Sequence, residues 1–133
     1  MKENEDSPPA RLLVADDHDL VRESTRLMLI GERDLEVVGE AVNGQHALEL
    51  CRQLRPDLVL MDVRMPVMDG LTATRAIKEE LPAIRVLVVT AYESEAYLRE
   101  AASAGAADYI LKDAPREQLL EAVRKALTDR GEG

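Results

Sequence analysis

Asp16 and Asp17, Asp62, Thr90 and Lys112 each stand at the end of a short apolar run. An acid pair, a lone acid, a hydroxyl and an amine are together the parts of a phosphoryl-transfer site. Three converging carboxylates need a cation, since two unit charges about 4 Å apart repel by ~4 kcal/mol at an effective dielectric of ~20. Mg²⁺ suits such a group, because it prefers hard oxygen ligands and is commonly held by one or two carboxylates plus a phosphate. Zinc is disfavoured, since His18 and His46 are the only histidines and no thiol or imidazole partner lies at ligand spacing. Lys112 would add positive charge for phosphoryl oxygens and Thr90 a hydroxyl donor. A carboxylate nucleophile forming an aspartyl phosphate is established covalent chemistry.

The elements that must position these groups are Arg11-Leu-Leu-Val-Ala15, Asp57-Leu-Val-Leu-Met61, Arg85-Val-Leu-Val-Val89 and Asp108-Tyr-Ile-Leu111. Each is short and apolar enough to be a strand buried on both faces. A further strand, Leu35 to Ala41, is flanked by Asp34 and by Asn43-Gly44, which suits capping of the next helix. Helical periodicity places apolar faces at Val21, Leu27, Met28 and Ile30, at Ala47, Leu48, Cys51 and Leu54, and at Leu71, Thr74, Ile77, Lys78 and Leu81. Two more helices fit Ser94 to Ala104, stopped by Gly105, and Pro115 to Leu127. Five alternating strands and helices predict an α/β fold with a parallel sheet, helices on both faces and right-handed crossovers. The site residues then meet at the strands' carboxyl edge, where open α/β sheets bind ligands.

The chain has 133 residues, one domain's worth. Its net charge of -9 argues against nucleic acid as a direct partner. The single cysteine, Cys51, cannot form an internal disulfide and reads as a small core hydrophobe. No apolar stretch approaches the roughly 18 residues that span a bilayer, and the acidic start is no secretory signal. A soluble cytoplasmic protein is expected. With no Phe or Trp, the core must be built from aliphatic residues, leaving Tyr92, Tyr97 and Tyr109 as the aromatics. Residues 1–10 are expected to be a disordered tail, 11–127 the folded domain, and 128–133 the start of a linker.

Four segments together resemble the receiver domains of two-component response regulators, in particular the NarL/FixJ type with a LuxR-type output. They are Val14-Ala-Asp-Asp-His18, Leu60-Met-Asp-Val-Arg-Met-Pro66 followed by Met68-Asp-Gly70, Val89-Thr-Ala91, and Ala106-Ala-Asp-Tyr-Ile-Leu-Lys-Asp113. The resemblance runs from roughly Arg11 to Leu127. It implies a flavodoxin-like (βα)5 doubly wound sheet of order 2-1-3-4-5. It implies that Asp62 accepts a phosphoryl group from a sensor histidine kinase, and that Asp17, Asp62 and the carbonyl of Arg64 bind Mg²⁺ with Asp16 assisting through water. By the same resemblance Lys112 pairs with the phosphoryl group, Thr90 moves to hydrogen-bond it, and Tyr109 is the switch aromatic that remodels the surface of the fourth helix, fifth strand and fifth helix. The resemblance also implies that Arg64 and Tyr92 flank the approach of attacking water, where a bulky Tyr92 is expected to slow hydrolysis. Such a domain catalyses its own phosphorylation and slow dephosphorylation, yet is a switch rather than a metabolic enzyme.

Bland roles exist beside these. Asp16 and Asp17 would serve as helix caps, Thr90 as a β-branched strand end, and Tyr109 as core or rim. His18 reads as a packing or capping residue and is left out of the site, and Tyr97 has no assigned role. Where many receivers place Pro after the lysine, Asp113 follows Lys112. A haloacid-dehalogenase phosphatase would need an acid where Arg64 stands, and a nucleotide-binding domain a glycine-rich turn where Asp16-Asp-His-Asp19 stands. Regulators of this type usually continue into a helix-turn-helix domain, so a receiver cut from a longer transcription factor is expected, binding DNA only through that absent part. Homodimerisation on phosphorylation is expected, with apolar Leu119, Leu120, Val123 and Leu127 of the last helix as a hint of a partner face. The alternative is a stand-alone or pseudo-receiver acting as a phosphorylation-independent interaction module.

Overall fold

Apolar runs of four to seven residues, each followed by a polar turn and an amphipathic helix, build a repeated strand-helix unit. The computed structural model describes residues 7–128. Within them β1 (Ala10–Ala15), α1 (Asp19–Leu29), β2 (Leu35–Ala41), α2 (Gly44–Leu54), β3 (Leu58–Asp62), α3 (Gly70–Glu80), β4 (Arg85–Thr90), α4 (Glu95–Ala104), β5 (Asp108–Leu111) and α5 (Arg116–Thr128) follow one another. The strands form one parallel sheet in the order β2-β1-β3-β4-β5. This is the expected flavodoxin-like order, and it reverses direction between β1 and β3.

Alternation along the strands sends successive side chains to opposite faces. Leu13, Ala15, Val59, Met61, Val86 and Val88 pack against α2, α3 and α4, whereas Leu12, Val14, Leu58, Leu60 and Leu87 pack against α1 and α5. Both faces of the central strands are therefore dry. Cys51 lies in the first of these cores, and burial pushes its thiol up to about 12.

Local chemistry starts and stops the helices. Asn43 Oδ1 accepts from His46 N–H at 2.7 Å, Asp69 Oδ1 accepts from Thr72 N–H at 2.8 Å, and Ser94 Oγ accepts from Ala96 and Tyr97 N–H. Gly105 ends α4 with φ of 101°, a left-handed stop that costs glycine little.

Differences from the sequence reading lie at edges and faces. β1 begins at Ala10 and α5 ends at Thr128, each one residue outside the anticipated domain limits. Residues 1–6 of the anticipated tail and 129–133 of the anticipated linker lie outside the described residues. In α1 the inward face is Val21, Thr25, Met28 and Leu29, while Leu27, on the outward face of the helix, and Ile30, which has already left it in an extended conformation, are exposed. In α5, Leu119, Leu120 and Val123 are buried against the sheet, so its apolar residues serve the core rather than a partner face.

Candidate functional site

Parallel register brings the strand ends level: Ala15 pairs with Met61, Asp62 with Val89, and Thr90 with Leu111. Asp16, Asp62, Thr90 and Lys112 therefore emerge at one edge, on either side of the point where the strand order reverses. The first three are almost wholly buried. Lys112 Nζ lies 2.8 Å from Asp16 Oδ2 and 3.2 Å from Asp62 Oδ2, bridging β1 and β3 from the end of β5. Its own N–H donates to the Thr90 carbonyl at 2.7 Å, which fixes where the side chain starts.

Electrostatics in this cluster are unbalanced, with three carboxylates facing one ammonium. Burial, and then the charge of Asp16, pushes the Asp62 carboxyl up to about 6 even though Lys112 pulls it down. Burial alone would lower Lys112, yet Asp16 and Asp62 outweigh it and hold the ammonium above its ordinary value. Asp17 Oδ1 is the buried side-chain oxygen left without a hydrogen bond among the described residues. An unpaired buried carboxylate oxygen is costly unless something positive meets it. A hard divalent cation fits this donor set of clustered carboxylate oxygens, with Asp16, Asp17 and Asp62 as the residues that would hold it.

His18 also reaches the cluster, a placement the sequence reading missed. Its Nδ1 lies 3.1 Å from Asp16 Oδ1 and 3.2 Å from Asp17 Oδ1. The available signal was only its adjacency to the acid pair.

Two loops form the rim. After β3, the chain is held by Gly70 N–H donating to Val63 O and Gly44 N–H donating to Met68 O, both at 2.8 Å. A Cβ at Gly70 would collide with the Asp62 carbonyl oxygen, and one at Gly44 with that of Met68. Between these anchors Val67 has φ of 70° while Met68 N–H donates to Pro66 O at 2.7 Å, a tight γ-turn centred on a β-branched residue. After β4, Thr90 Oγ1 accepts from Tyr92 N–H at 3.2 Å, and the Tyr109 hydroxyl donates to the Tyr92 carbonyl. Thr90 and Tyr109 are thus joined through one peptide segment. The Arg64 guanidinium stacks 4.9 Å above the Tyr92 ring, and Tyr97, which the sequence left without a role, packs 5.9 Å from it. An open cleft of about 560 Å³ leads to this rim, lined in part by Asp17, Arg64, Asp69 and Tyr97.

Comparison with known proteins agrees with this geometry. The response regulator receiver domain family matches residues 12–124. The response regulator GacA of Pseudomonas aeruginosa is 45% identical over 115 residues, covering 86% of this chain and 54% of that protein. VraR of Staphylococcus aureus is 42% identical over 122 residues, covering 92% and 57%. The chain therefore spans about half the length of the curated relatives it matches. Among solved structures, the signal receiver domain of a NarL response regulator from Mycobacterium tuberculosis superposes with a TM-score of 0.89 at 37% identity, covering 93% of this chain and 100% of that one. With its sheet order, its acidic edge and its relatives in agreement, the chain belongs to the response regulator receiver domains of two-component systems, among the NarL/LuxR type.

Proposed function

We propose that this receiver accepts a phosphoryl group on Asp62 from a sensor histidine kinase, and that the modification alters the α4-β5-α5 surface to control an output. The observation that carries this reading is Lys112 Nζ bridging Asp16 and Asp62 beside an Asp17 oxygen that makes no hydrogen bond. In the transfer, an Asp62 carboxylate oxygen forms a bond to phosphorus as the bond from phosphorus to the kinase histidine nitrogen breaks. Asp17, Asp62 and the Arg64 carbonyl, with Asp16 assisting, would hold Mg²⁺, which would supply charge neutralisation for the oxygens of the transferring group. Lys112 stays on Asp62 and meets a phosphoryl oxygen once the group is in place. Thr90 exchanges its Tyr92 N–H for that group, which loosens the segment to which the Tyr109 hydroxyl is bonded. The result is a population shift between two packings of α4 and β5.

Transcriptional control is an output that a relative's name supports; that it runs through a DNA-binding part of the full-length protein, with dimerisation on phosphorylation, is part of the same proposal. The division into a tail at 1–10, a receiver at 11–127 and a linker from 128 belongs to the same proposal.

Intact-mass spectrometry after incubation with acetyl phosphate tests the reading. One added phosphoryl group that requires both Mg²⁺ and Asp62, and is absent from Asp62→Asn, is expected. No adduct under any of these conditions would favour a phosphorylation-independent interaction module.

A further inference from the structure

We propose that His18 supplies a nitrogen ligand to the divalent cation held by Asp16, Asp17 and Asp62, which would raise this site's affinity for borderline transition cations such as Mn²⁺ and Co²⁺ relative to Mg²⁺. The inference rests on the cation-binding part of the function proposed above. Asp16, Asp17, His18 and Asp62 each offer one ligand atom, and these atoms all lie within 4.8 Å of one another. The separations of His18 Nδ1 from the Asp16 and Asp17 oxygens, 3.1 and 3.2 Å, match the roughly 3 Å edge between neighbouring ligands when metal bonds are about 2.0–2.2 Å long.

One local hydrogen bond orients the ring, between His18 Nδ1 and Asp16 Oδ1 at 3.1 Å. His18 occupies the N-cap of α1, but its side chain makes no capping hydrogen bond. Asp17 Oδ1 is buried and makes no hydrogen bond, although Nδ1 lies 3.2 Å away. Backbone bonds fix the base of the side chain. His18 N–H donates to Asp16 Oδ1 at 2.9 Å, and the His18 carbonyl accepts from Arg22 N–H at 3.0 Å. The imidazole is otherwise largely exposed, so a cation reaches it from solvent.

The donor set has a chemical consequence. Carboxylates alone favour hard ions, whereas an imidazole favours later first-row metals. Binding through Nδ1 releases any proton that nitrogen carries to solvent.

Pulsed electron paramagnetic resonance on the full chain, prepared without a polyhistidine tag, stripped with EDTA and loaded with Mn²⁺, reads the ligand directly. We expect ¹⁴N modulation of the Mn²⁺ signal that converts to a ¹⁵N pattern on ¹⁵N-histidine labelling, persists in His46→Gln and vanishes in His18→Gln. In His18→Gln, Mn²⁺ and Co²⁺ affinity should fall about tenfold, the scale of losing a ligand-shell partner, with Mg²⁺ affinity nearly unchanged. Bound Mn²⁺ without nitrogen coupling, or coupling that survives in His18→Gln, would overturn the role of His18 while leaving the carboxylate site intact. No Mn²⁺ binding at all would instead remove the cation reading on which it rests.

Discussion

Asp62 is held in an environment that opposes its charge, and this fixes the sign of its effect on stability. Its folded-state value of about 6 lies above the ordinary carboxylate value of about 4. The native state thus binds more protons than the unfolded chain between these limits. The stability contribution is fully present below about pH 4 and is lost as pH rises through about 6. In EDTA at pH 7, Asp62→Asn should be more stable than the parent by on the order of 2–3 kcal/mol, with the gap closing towards pH 4. Urea unfolding across that range checks it, and a gap that widens on acidification would refute it. Val67 carries strain of a different kind, a β-branched residue at φ of 70° and 82% exposed. Val67→Gly gives up almost no burial and relieves that backbone, so a gain of about 1 kcal/mol is expected in the same assay. The gathering of Asp16, Asp17, Asp62 and Lys112 was legible because each ends an apolar run, and parallel strands end level. The inward turn of His18 and the Arg64–Tyr92 stack were not. Both depend on side-chain directions fixed by contacts between separate loops, which no local pattern encodes.

At the scale of elements, strand identity was legible and helix faces less so. Four apolar runs and the Leu35–Ala41 segment all became strands: β1, β3 and β4 because burial on both sides demands continuous apolar sequence, and β2 and β5 as partly buried edge strands. The faces of α1 and α5 depended instead on how each helix lies across the sheet, which periodicity leaves open. α5 is tied to the α1–β2 loop by charge: Arg124 Nη2 lies 2.6 Å from Glu32 and 2.8 Å from Asp34, and Arg116 donates to Glu32 and to the Met28 carbonyl. Hydrogen bonds from Arg124 are the main reason that Glu32 and Asp34 both sit below the ordinary carboxylate range. A lowered value contributes stability above the unfolded range and loses it as pH falls through the folded one. Arg124→Ala should therefore lower Tm at neutral pH, with the difference shrinking below about pH 4 and in high salt. A Tm difference independent of both pH and salt would mean that the arm of Arg124, not its charge, ties α5 down. The β4–α4 turn poses a kinetic question. The Tyr92 backbone is held by Thr90 and Tyr109 and its ring by Arg64 and Tyr97, and the expectation is that the held ring restricts water approaching Asp62. Tyr92→Ala should shorten the lifetime of the phosphorylated state severalfold, read as loss of the added mass with time. A lifetime equal to the parent's would leave Tyr92 a purely structural role.

For the whole molecule, the two edges of the sheet are treated unequally. At the amino edge, polar groups are satisfied locally: the Arg11 guanidinium donates to the Leu54 and Arg55 carbonyls, and Arg11 N–H to Asp57 Oδ2. At the carboxyl edge, folding forces Asp16, Asp17 and Asp62 together in a chain that already carries a net charge of -9. Lys112 offsets only part of that, and Asp17 Oδ1, with the His18 ring 3.2 Å away, makes no hydrogen bond. The folded state therefore holds an anionic pocket that the unfolded chain does not, and a cation that binds this pocket stabilises the fold by mass action. At a hundredfold excess over Kd the gain is about 2.7 kcal/mol, a rise in Tm of roughly 10 °C for a domain of this size. General screening of a -9 chain would also raise Tm, but NaCl does so as well as MgCl₂ at matched ionic strength. Thermal unfolding in EDTA, in NaCl and in MgCl₂ separates the two effects. The excess shift in MgCl₂ should be saturable and should largely disappear in Asp17→Asn, which removes a carboxylate while keeping the shape of the side chain. Equal shifts in the two salts would mean that the pocket's charge is relieved by screening alone, and that cation binding plays no part in the stability of the fold.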